Sequence, residues 1–202
     1  PLLAFADCLR RHDPSLRITC VGTPRGLEKD LIPAAGYDLR MVPAFQLPRS
    51  VNWNLFRTPD RMVSSTRATR KILDEVRADA VVGFGGYVAV PAYLAAWRRK
   101  TPLLIHEKDV PVGVANRLGL RVTDHVALGF PHQLTQEPRV AGKRVVGVPL
   151  RQSISMINRP ALRAQARAHF GLHPDLPTLF VFGASQGARS INQAVLGAAK
   201  AI

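Results

Sequence analysis

The segment Phe180-Val181-Phe182-Gly183-Ala184-Ser185-Gln186-Gly187-Ala188-Arg189 decides the fold, because an apolar run leads into a Gly/Ser turn and a helical pattern follows at once. A strand, turn and helix in this order present free backbone N–H groups and the positive end of a helix dipole at one point, which suits a phosphate or diphosphate. The segment also fits the G-x-S-x-G turn of serine hydrolases. That chemistry needs an acid and then a histidine later in the chain, and neither follows Ser185 in this sequence. An anion cradle is therefore the favoured interpretation, with the hydrolase as the alternative.

The rest of the chain alternates short β-rich runs with helical patterns. Alternation at this spacing predicts βαβ units and an α/β fold with parallel, doubly wound sheets. Strands are predicted over 17–21, 37–42, 79–84, 103–106, 125–128 and 178–182, and helices over about 24–35, 89–98, 112–120 and 160–170, with another from about residue 59.

The alternation pauses around Gly147-Val148-Pro149-Leu150-Arg151. We therefore expect one domain over residues 1–150 and the start of a second over 151–202. Helical patterns run into both chain ends, so we interpret the sequence as a fragment truncated at both ends. The segments expected to be missing are a first strand and much of the second domain.

Composition narrows the classes of partner. The formal net charge is +14, which favours anions such as nucleic acid, phosphorylated substrates or an anionic membrane surface. No helix-turn-helix, RRM or KH signature is present, so nucleic acid is not an expected partner. No apolar run reaches the roughly 18 residues of a membrane-spanning helix. The two cysteines lack metal-ligand spacing and predict reduced thiols in a cytosolic protein.

Three polar or glycine-rich turns follow predicted strands, namely Gly83–Tyr87, His106–Asp109 and Gly183–Gly187. Ligands of open α/β sheets bind beyond the carboxyl ends of the strands, so this clustering predicts a shared site. The first turn is not a dinucleotide fingerprint, because Val88 stands where the last glycine belongs. The second is not a zinc-binding helix, because Val110 replaces the required histidine, and no metal is expected. The alternatives are a tight packing turn for the first and a charged loop for the second.

Residues 44–78 combine seven basic side chains with three acidic ones and interleave Trp53, Leu55, Phe56, Met62 and Val63. A helix from about residue 59 can turn Met62, Thr66, Thr69, Leu73 and Val76 toward the sheet, and Arg67, Arg70 and Lys71 outward. Aromatic and basic residues on one surface favour an anionic bilayer. The alternative is a solvated helix beneath a packed loop.

Together these motifs resemble the MurG family of peptidoglycan glycosyltransferases, glycosyltransferase family 28. The resemblance covers essentially the whole sequence and is highly specific because the motifs occur in this order. The matching residues are Phe84-Gly85-Gly86-Tyr87-Val88, Pro91, Leu94-Ala95-Ala96-Trp97, His106-Glu107, Asn116, Gly147, Pro149, Arg151, Gly183–Arg189 and Asn192.

The resemblance implies a GT-B fold with two Rossmann-like domains, one for a lipid acceptor and one for UDP-N-acetylglucosamine. It implies transfer of N-acetylglucosamine to undecaprenyl-pyrophosphoryl-MurNAc-pentapeptide (lipid I), giving lipid II with inversion and without a metal or cofactor. The cytoplasmic face of the cell membrane is the implied location. The implied site residues are Ser185 with Gly183, Gln186 and Gly187 at the donor diphosphate, Arg151 at the donor, Gly85, Gly86, Tyr87, Asp109 and Asn116 on the acceptor side, and His106 and Glu107 as candidate catalytic groups.

The sequence departs from the family pattern in three motifs. Asp109 closes a His-Glu-Lys-Asp run where the family has His-Glu-Gln-Asn, Val148 replaces an asparagine, and Ala184 replaces a glycine. The family's first glycine-rich loop, with its candidate catalytic histidine, has no counterpart after Pro1. We therefore do not expect this chain to catalyse the reaction by itself.

Overall fold

The computed structural model describes residues 1–24, 26–44, 58–131, 143–183 and 188–198. The chain divides into two compact units, Pro1–Ser155 and Met156–Ile202. The first unit has six described helices: α1 (Leu2–His12), α2 (Glu28–Ala34), α3 (Thr58–Glu75), α4 (Ala89–Arg99), α5 (Val114–Gly119) and α6 (Gln152–Ser155). Its described strands are β1 (Thr19–Gly22), β2 (Asp38–Met41), β3 (Val81–Gly83), β4 (Leu103–Glu107), β5 (Val126–Leu128) and β6 (Arg144–Val145).

All described strand pairs are parallel, which confirms the predicted α/β class. Strands β1 and β2 pair from Thr19 with Asp38 to Gly22 with Met41. The other sheet has the order β3-β4-β5-β6, so its strands follow their order in the chain. Each pair in that sheet is linked by a crossover, and the strands therefore end at a common edge. Strand β6 is absent from the sequence prediction.

The core of the larger sheet is built around the ring of Tyr93 on α4, which is 2% exposed. It packs with Leu73 of α3, the alanines of α4 and Ile105 of β4. A Cβ on Gly83 would stand 2.1 Å from the Tyr93 ring, and one on Gly119 would stand 2.7 Å from it. Gly83 is therefore required by the volume of this ring, and Gly119 by the ring together with the Ile105 side chain, which would lie 2.4 Å from the added carbon. An interior packed at crystal density leaves no room for another carbon.

Helix α3 has the two faces that its sequence predicts. Thr66, Thr69 and Leu73 are buried, whereas Arg67, Arg70 and Lys71 are exposed. The aromatic residues predicted beside this face, Trp53 and Phe56 among them, lie outside the described residues. No described helix combines the length and the apolar character that crossing a bilayer requires.

The second unit contains the described helices α7 (Arg159–His169) and α8 (Arg189–Ala198). Asn158 caps α7 by accepting a hydrogen bond from the Ala161 N–H at 3.2 Å. The strand predicted over 178–182 is wrong: these residues pair with no described strand, and Phe180 is 77% exposed. An apolar run becomes a strand only when a neighbour takes up its backbone N–H and C=O groups. The described part of this unit offers no such neighbour.

Candidate functional site

Two of the three predicted turns, Gly83–Tyr87 and His106–Asp109, lie at the carboxyl ends of β3 and β4 and form the candidate site considered for the first unit. Gly85 and Gly86 follow β3, and both have φ of +81°, which a side chain rarely tolerates. A Cβ on Gly85 would also stand 3.2 Å from the Asn116 side-chain nitrogen. The glycines therefore allow this turn to double back against α5.

Glu107 ends β4 and organises the loop that follows it. Its side chain is buried, and its Oε1 accepts a hydrogen bond from the Asp109 N–H at 2.7 Å. Its Oε2 accepts from the Gly113 N–H at 2.8 Å and from the Asn116 Nδ2 at 3.0 Å. A buried carboxylate with several donors is a well-satisfied acceptor. The carboxylate thus joins the 107–113 loop to α5.

Asn116 is 2% exposed, although a polar residue in this helical pattern usually lies on the surface. Its Nδ2 donates to Glu107, and its Oδ1 accepts from the Tyr93 hydroxyl at 2.7 Å. The Tyr93 oxygen in turn accepts from the Gly85 N–H at 3.3 Å. A continuous hydrogen-bonded chain therefore connects the glycine turn after β3 with the loop after β4.

His106 is buried and directs its Nε2 at the Gly147 carbonyl oxygen, 2.9 Å away. A carbonyl oxygen only accepts, so Nε2 carries the proton. The Nδ1 atom is buried and has no hydrogen-bond partner among the described residues. The Phe84 ring lies 5.6 Å from the imidazole, centroid to centroid. The geometry makes His106 a tether for the segment that leads to Arg151.

The other predicted residues of the first unit are more accessible. Tyr87 is 38% exposed and follows the glycine turn. Asp109 is exposed and accepts a hydrogen bond from Lys108 Nζ at 2.6 Å. Arg151 is exposed, and its carbonyl accepts from the Ile154 and Ser155 N–H groups at the start of α6. These side chains remain open to a ligand from solvent.

The predicted donor turn belongs to the second unit. Gly183 is exposed at the end of an extended segment. Ser185, Gln186 and Gly187 lie outside the described residues. Helix α8 begins at Arg189, directly beyond them. Within the described ranges, no group of three or more His, Cys, Asp or Glu side chains is arranged to hold a metal ion.

Sequence reasoning missed Tyr93, which holds the two loops of the first unit together. Its spacing in α4 indicates a core residue, and Tyr93 does belong to the hydrophobic core. The signal that could have identified it is the pair of glycines, Gly83 and Gly119, which lie against the ring and have no side chain to collide with it. Burial raises the pKa of the Tyr93 hydroxyl, so the group stays protonated and can donate to Asn116.

A second surface lies at the opposite, amino-terminal ends of β4 and β5. We call it the basic groove, and its argument rests on Trp97, Arg98, Lys100 and Arg121. Trp97 is 54% exposed at the end of α4, and the three cations are exposed beside it. Their side chains form no hydrogen bond or ion pair with another described residue. An exposed indole among unpaired cations suits an anionic surface.

Comparisons with known proteins agree with one another. Residues 1–128 match the family described as the glycosyltransferase family 28 N-terminal domain. Proteins from Saccharopolyspora erythraea and a Nocardioides species are each 50% identical over 202 residues, which is 100% of this chain and 52% and 54% of theirs. Both are named UDP-N-acetylglucosamine--N-acetylmuramyl-(pentapeptide) pyrophosphoryl-undecaprenol N-acetylglucosamine transferase. The crystal structure of Acinetobacter baumannii MurG matches 99% of this chain and 53% of that one, with a TM-score of 0.72 and 28% identity. The chain thus spans about half the length of the relatives it matches.

Proposed function

The chain belongs to glycosyltransferase family 28, and from that premise we propose that it forms part of a hexosyltransferase of peptidoglycan synthesis. The proposed reaction moves N-acetylglucosamine from UDP-N-acetylglucosamine to undecaprenyl-pyrophosphoryl-MurNAc-pentapeptide. The observation that carries the proposal is the 50% identity along the whole chain to relatives named for this transfer. The proposed place of action is the cytoplasmic face of the cell membrane.

The proposed chemistry is a displacement with inversion. An acceptor hydroxyl oxygen forms a bond to the anomeric carbon, the bond from that carbon to the UDP oxygen breaks, and the hydroxyl proton passes to a base. Negative charge grows on the departing diphosphate and needs fixed positive groups nearby. We assign that task to Arg151 and, from the resemblance, to Ser185, which lies outside the described residues.

On the acceptor side we assign contact with substrate to two exposed side chains, Tyr87 in the turn after β3 and Asp109 in the loop after β4. Glu107 and His106 receive positioning roles instead of the catalytic roles considered from sequence. The carboxylate of Glu107 already accepts three hydrogen bonds, and the Nε2 of His106 already donates to Gly147. The Nε2 of His106 carries its proton in that hydrogen bond and cannot take another from an acceptor hydroxyl, and three donors hold the Glu107 carboxylate in one orientation.

The transfer reaction tests the proposal directly. The protein to use is the complete product of the gene that encodes these 202 residues, with labelled UDP-N-acetylglucosamine and a lipid I analogue. We expect transfer, and we expect about a hundredfold loss of kcat in Arg151→Ala, because a group that stabilises developing charge is removed. Ser185→Ala should raise KM for the donor. Absence of transfer by the unsubstituted protein would overturn the proposal.

The two alternative functions have their own readouts. Labelling of Ser185 by a fluorophosphonate would favour the hydrolase. Binding of RNA but not of UDP-N-acetylglucosamine at physiological salt would favour a nucleic-acid-binding module.

The basic groove supports a second part of the proposal, binding to an anionic membrane. Helix α3 packs against α4, and its Arg67, Arg70 and Lys71 are exposed as well. Co-sedimentation with vesicles containing phosphatidylglycerol should fall as salt rises, because the Debye length shortens from about 10 Å at 0.1 M to about 3 Å at 1 M. Equal binding to neutral vesicles would contradict an electrostatic contribution.

A further inference from the structure

We infer that Tyr93 is a positioning residue whose hydroxyl couples the glycine turn at Gly85 to the Glu107 loop through Asn116. The inference deepens the proposed function and rests on it for its kinetic consequence. Its structural half, the coupling of two loops, rests on hydrogen bonds within the first unit.

In the series of hydrogen bonds from Gly85 through Tyr93 and Asn116 to Glu107, the donor of each bond can be deduced from the group at the end of the series, which can only accept. The Glu107 carboxylate and the His106 carbonyl can only accept, so the Asn116 amide must turn its Nδ2 toward them, at 3.0 and 3.3 Å. That leaves Oδ1 of Asn116 facing the Tyr93 hydroxyl, which must donate its single proton there. The Tyr93 oxygen then accepts a hydrogen bond from the Gly85 N–H.

Tyr93 cannot move aside to break this order. Its ring stands against the positions of the missing Cβ atoms of Gly83 and Gly119, and its side chain is 2% exposed. Burial raises the pKa of the hydroxyl, which therefore stays neutral throughout the range in which proteins are active. The ring fixes the hydroxyl, and the hydroxyl fixes the glycine turn relative to α5.

The consequence for function concerns placement. The glycine turn carries Tyr87, and the Glu107 loop carries Asp109, both assigned to the acceptor. Misplacement of reacting groups by about 1 Å can cost a hundredfold in rate. A tyrosine that holds both loops to a single helix therefore acts on turnover without touching substrate.

The chain offers a matched pair of variants, Tyr93→Phe and Tyr37→Phe. Tyr37 is also a buried core residue, and its hydroxyl donates to Asp7 Oδ1 at 2.6 Å in a partly buried hydrogen bond, but it lies in the β1–β2 part of the unit. In Tyr93→Phe we expect faster exchange of the Gly85 amide hydrogen and shifted NMR signals of the Asn116 side-chain amide. Tyr37→Phe should leave both signals unchanged.

In the complete gene product, Tyr93→Phe should lower kcat for the acceptor about tenfold while the KM for UDP-N-acetylglucosamine stays the same, since the two hydrogen bonds of the Tyr93 hydroxyl, to Asn116 and from Gly85, are lost. Tyr37→Phe should leave both kinetic constants unchanged when the two variants are assayed at temperatures equally far below their Tm. Equal kinetic losses in the two variants, or unchanged Gly85 and Asn116 signals in Tyr93→Phe, would overturn the inference. If the unsubstituted protein shows no transfer, the proposed function fails and the kinetic role fails with it, while the NMR comparison still decides whether the loops are coupled.

Discussion

The two ends of strands β4 and β5 differ in how their polar groups are satisfied. At the carboxyl end, the carboxylate of Glu107 and the amide of Asn116 are buried and hydrogen-bonded to neighbouring loops. At the amino end, the cations of the basic groove are exposed and unpaired among the described residues. At the carboxyl end, the hydrogen bonds hold the polar groups in one fixed geometry. At the amino end, the cations remain available to a partner. Substitutions at the two ends should therefore affect stability very differently.

The largest effect on stability is expected for Glu107→Ala. The substitution removes the acceptor of the Asp109 and Gly113 N–H groups and of the Asn116 amide. Each buried donor left unsatisfied costs about 1–3 kcal/mol, so we expect a loss of about 4 kcal/mol in the free energy of unfolding. Urea unfolding measures it. Glu75→Ala, which removes an exposed carboxylate 3.8 Å from Lys71, is the control and should cost less than about 0.5 kcal/mol. Similar losses in both variants would contradict the difference between the two ends.

The next largest effect is expected for Gly83→Ala. The new Cβ would lie 2.1 Å from the Tyr93 ring, and overpacking of this kind costs about 3 kcal/mol. Gly113→Ala serves as the control, because its Cβ would meet nothing closer than Glu107 Oε2 at 3.6 Å. Combining Gly83→Ala with Tyr93→Leu should cost less than the sum of the single changes, since each removes the reason for the other's effect. Strict additivity, measured by the same urea unfolding, would show that the ring does not set the need for glycine.

The sequence predicted the strands and turns of this region better than the bonds between them. Strands β3, β4 and β5 are apolar runs bounded by polar or glycine residues, so their positions follow from pattern alone. Strand β6 has two exposed residues and leaves no such pattern. The run over 178–182 has the right pattern but no strand beside it among the described residues, which shows that pairing and not hydrophobicity completes a strand.

The same limit applies within the candidate site. The turns at Gly85 and Glu107 were found because strand ends are visible in the sequence. The link through Tyr93 was not, because helical spacing shows that a residue faces the core but not which loop its hydroxyl reaches. Burial of Asn116 contradicts the usual surface position of asparagine, and only its three neighbours explain it.

A smaller effect with a definite pH dependence is expected for Asn116→Asp. The new carboxylate would lie beside Glu107 Oε2, and two carboxylates in one site raise the pKa of one of them. A carboxyl group whose pKa is raised in the folded state stabilises the protein at pH values below the pKa that the group has in the unfolded state, about 4. This contribution is lost as the pH rises. The variant should therefore be about 2 kcal/mol less stable than the parent at pH 7, with a smaller difference near pH 4.

The double variant Glu107→Gln with Asn116→Asp restores one carboxylate and one amide to the pair. It should recover only part of the lost stability at pH 7, because the charge repulsion is removed while the new amide nitrogen at position 107 would face the Gly113 N–H, which is also a donor. A deficit in Asn116→Asp that is the same at both pH values would show that loss of the Nδ2 hydrogen bonds to Glu107 and to the His106 carbonyl, and not charge repulsion, dominates.

The smallest effect on stability is expected at the amino end, for Arg98→Glu combined with Arg121→Glu. Both side chains are exposed and bonded to no other described residue, so the free energy of unfolding should change by less than about 0.5 kcal/mol. Binding to phosphatidylglycerol vesicles should nevertheless fall at least tenfold at low salt, because each cation near an anionic surface contributes about 1 kcal/mol and reversal replaces attraction by repulsion. Conversion of the exposed Arg159 and Arg163 on α7 to Glu changes the total charge by the same amount without altering the groove. Equal loss of binding in that control would assign the attraction to net charge, and the amino end would then lose its distinction as a surface kept free for a partner.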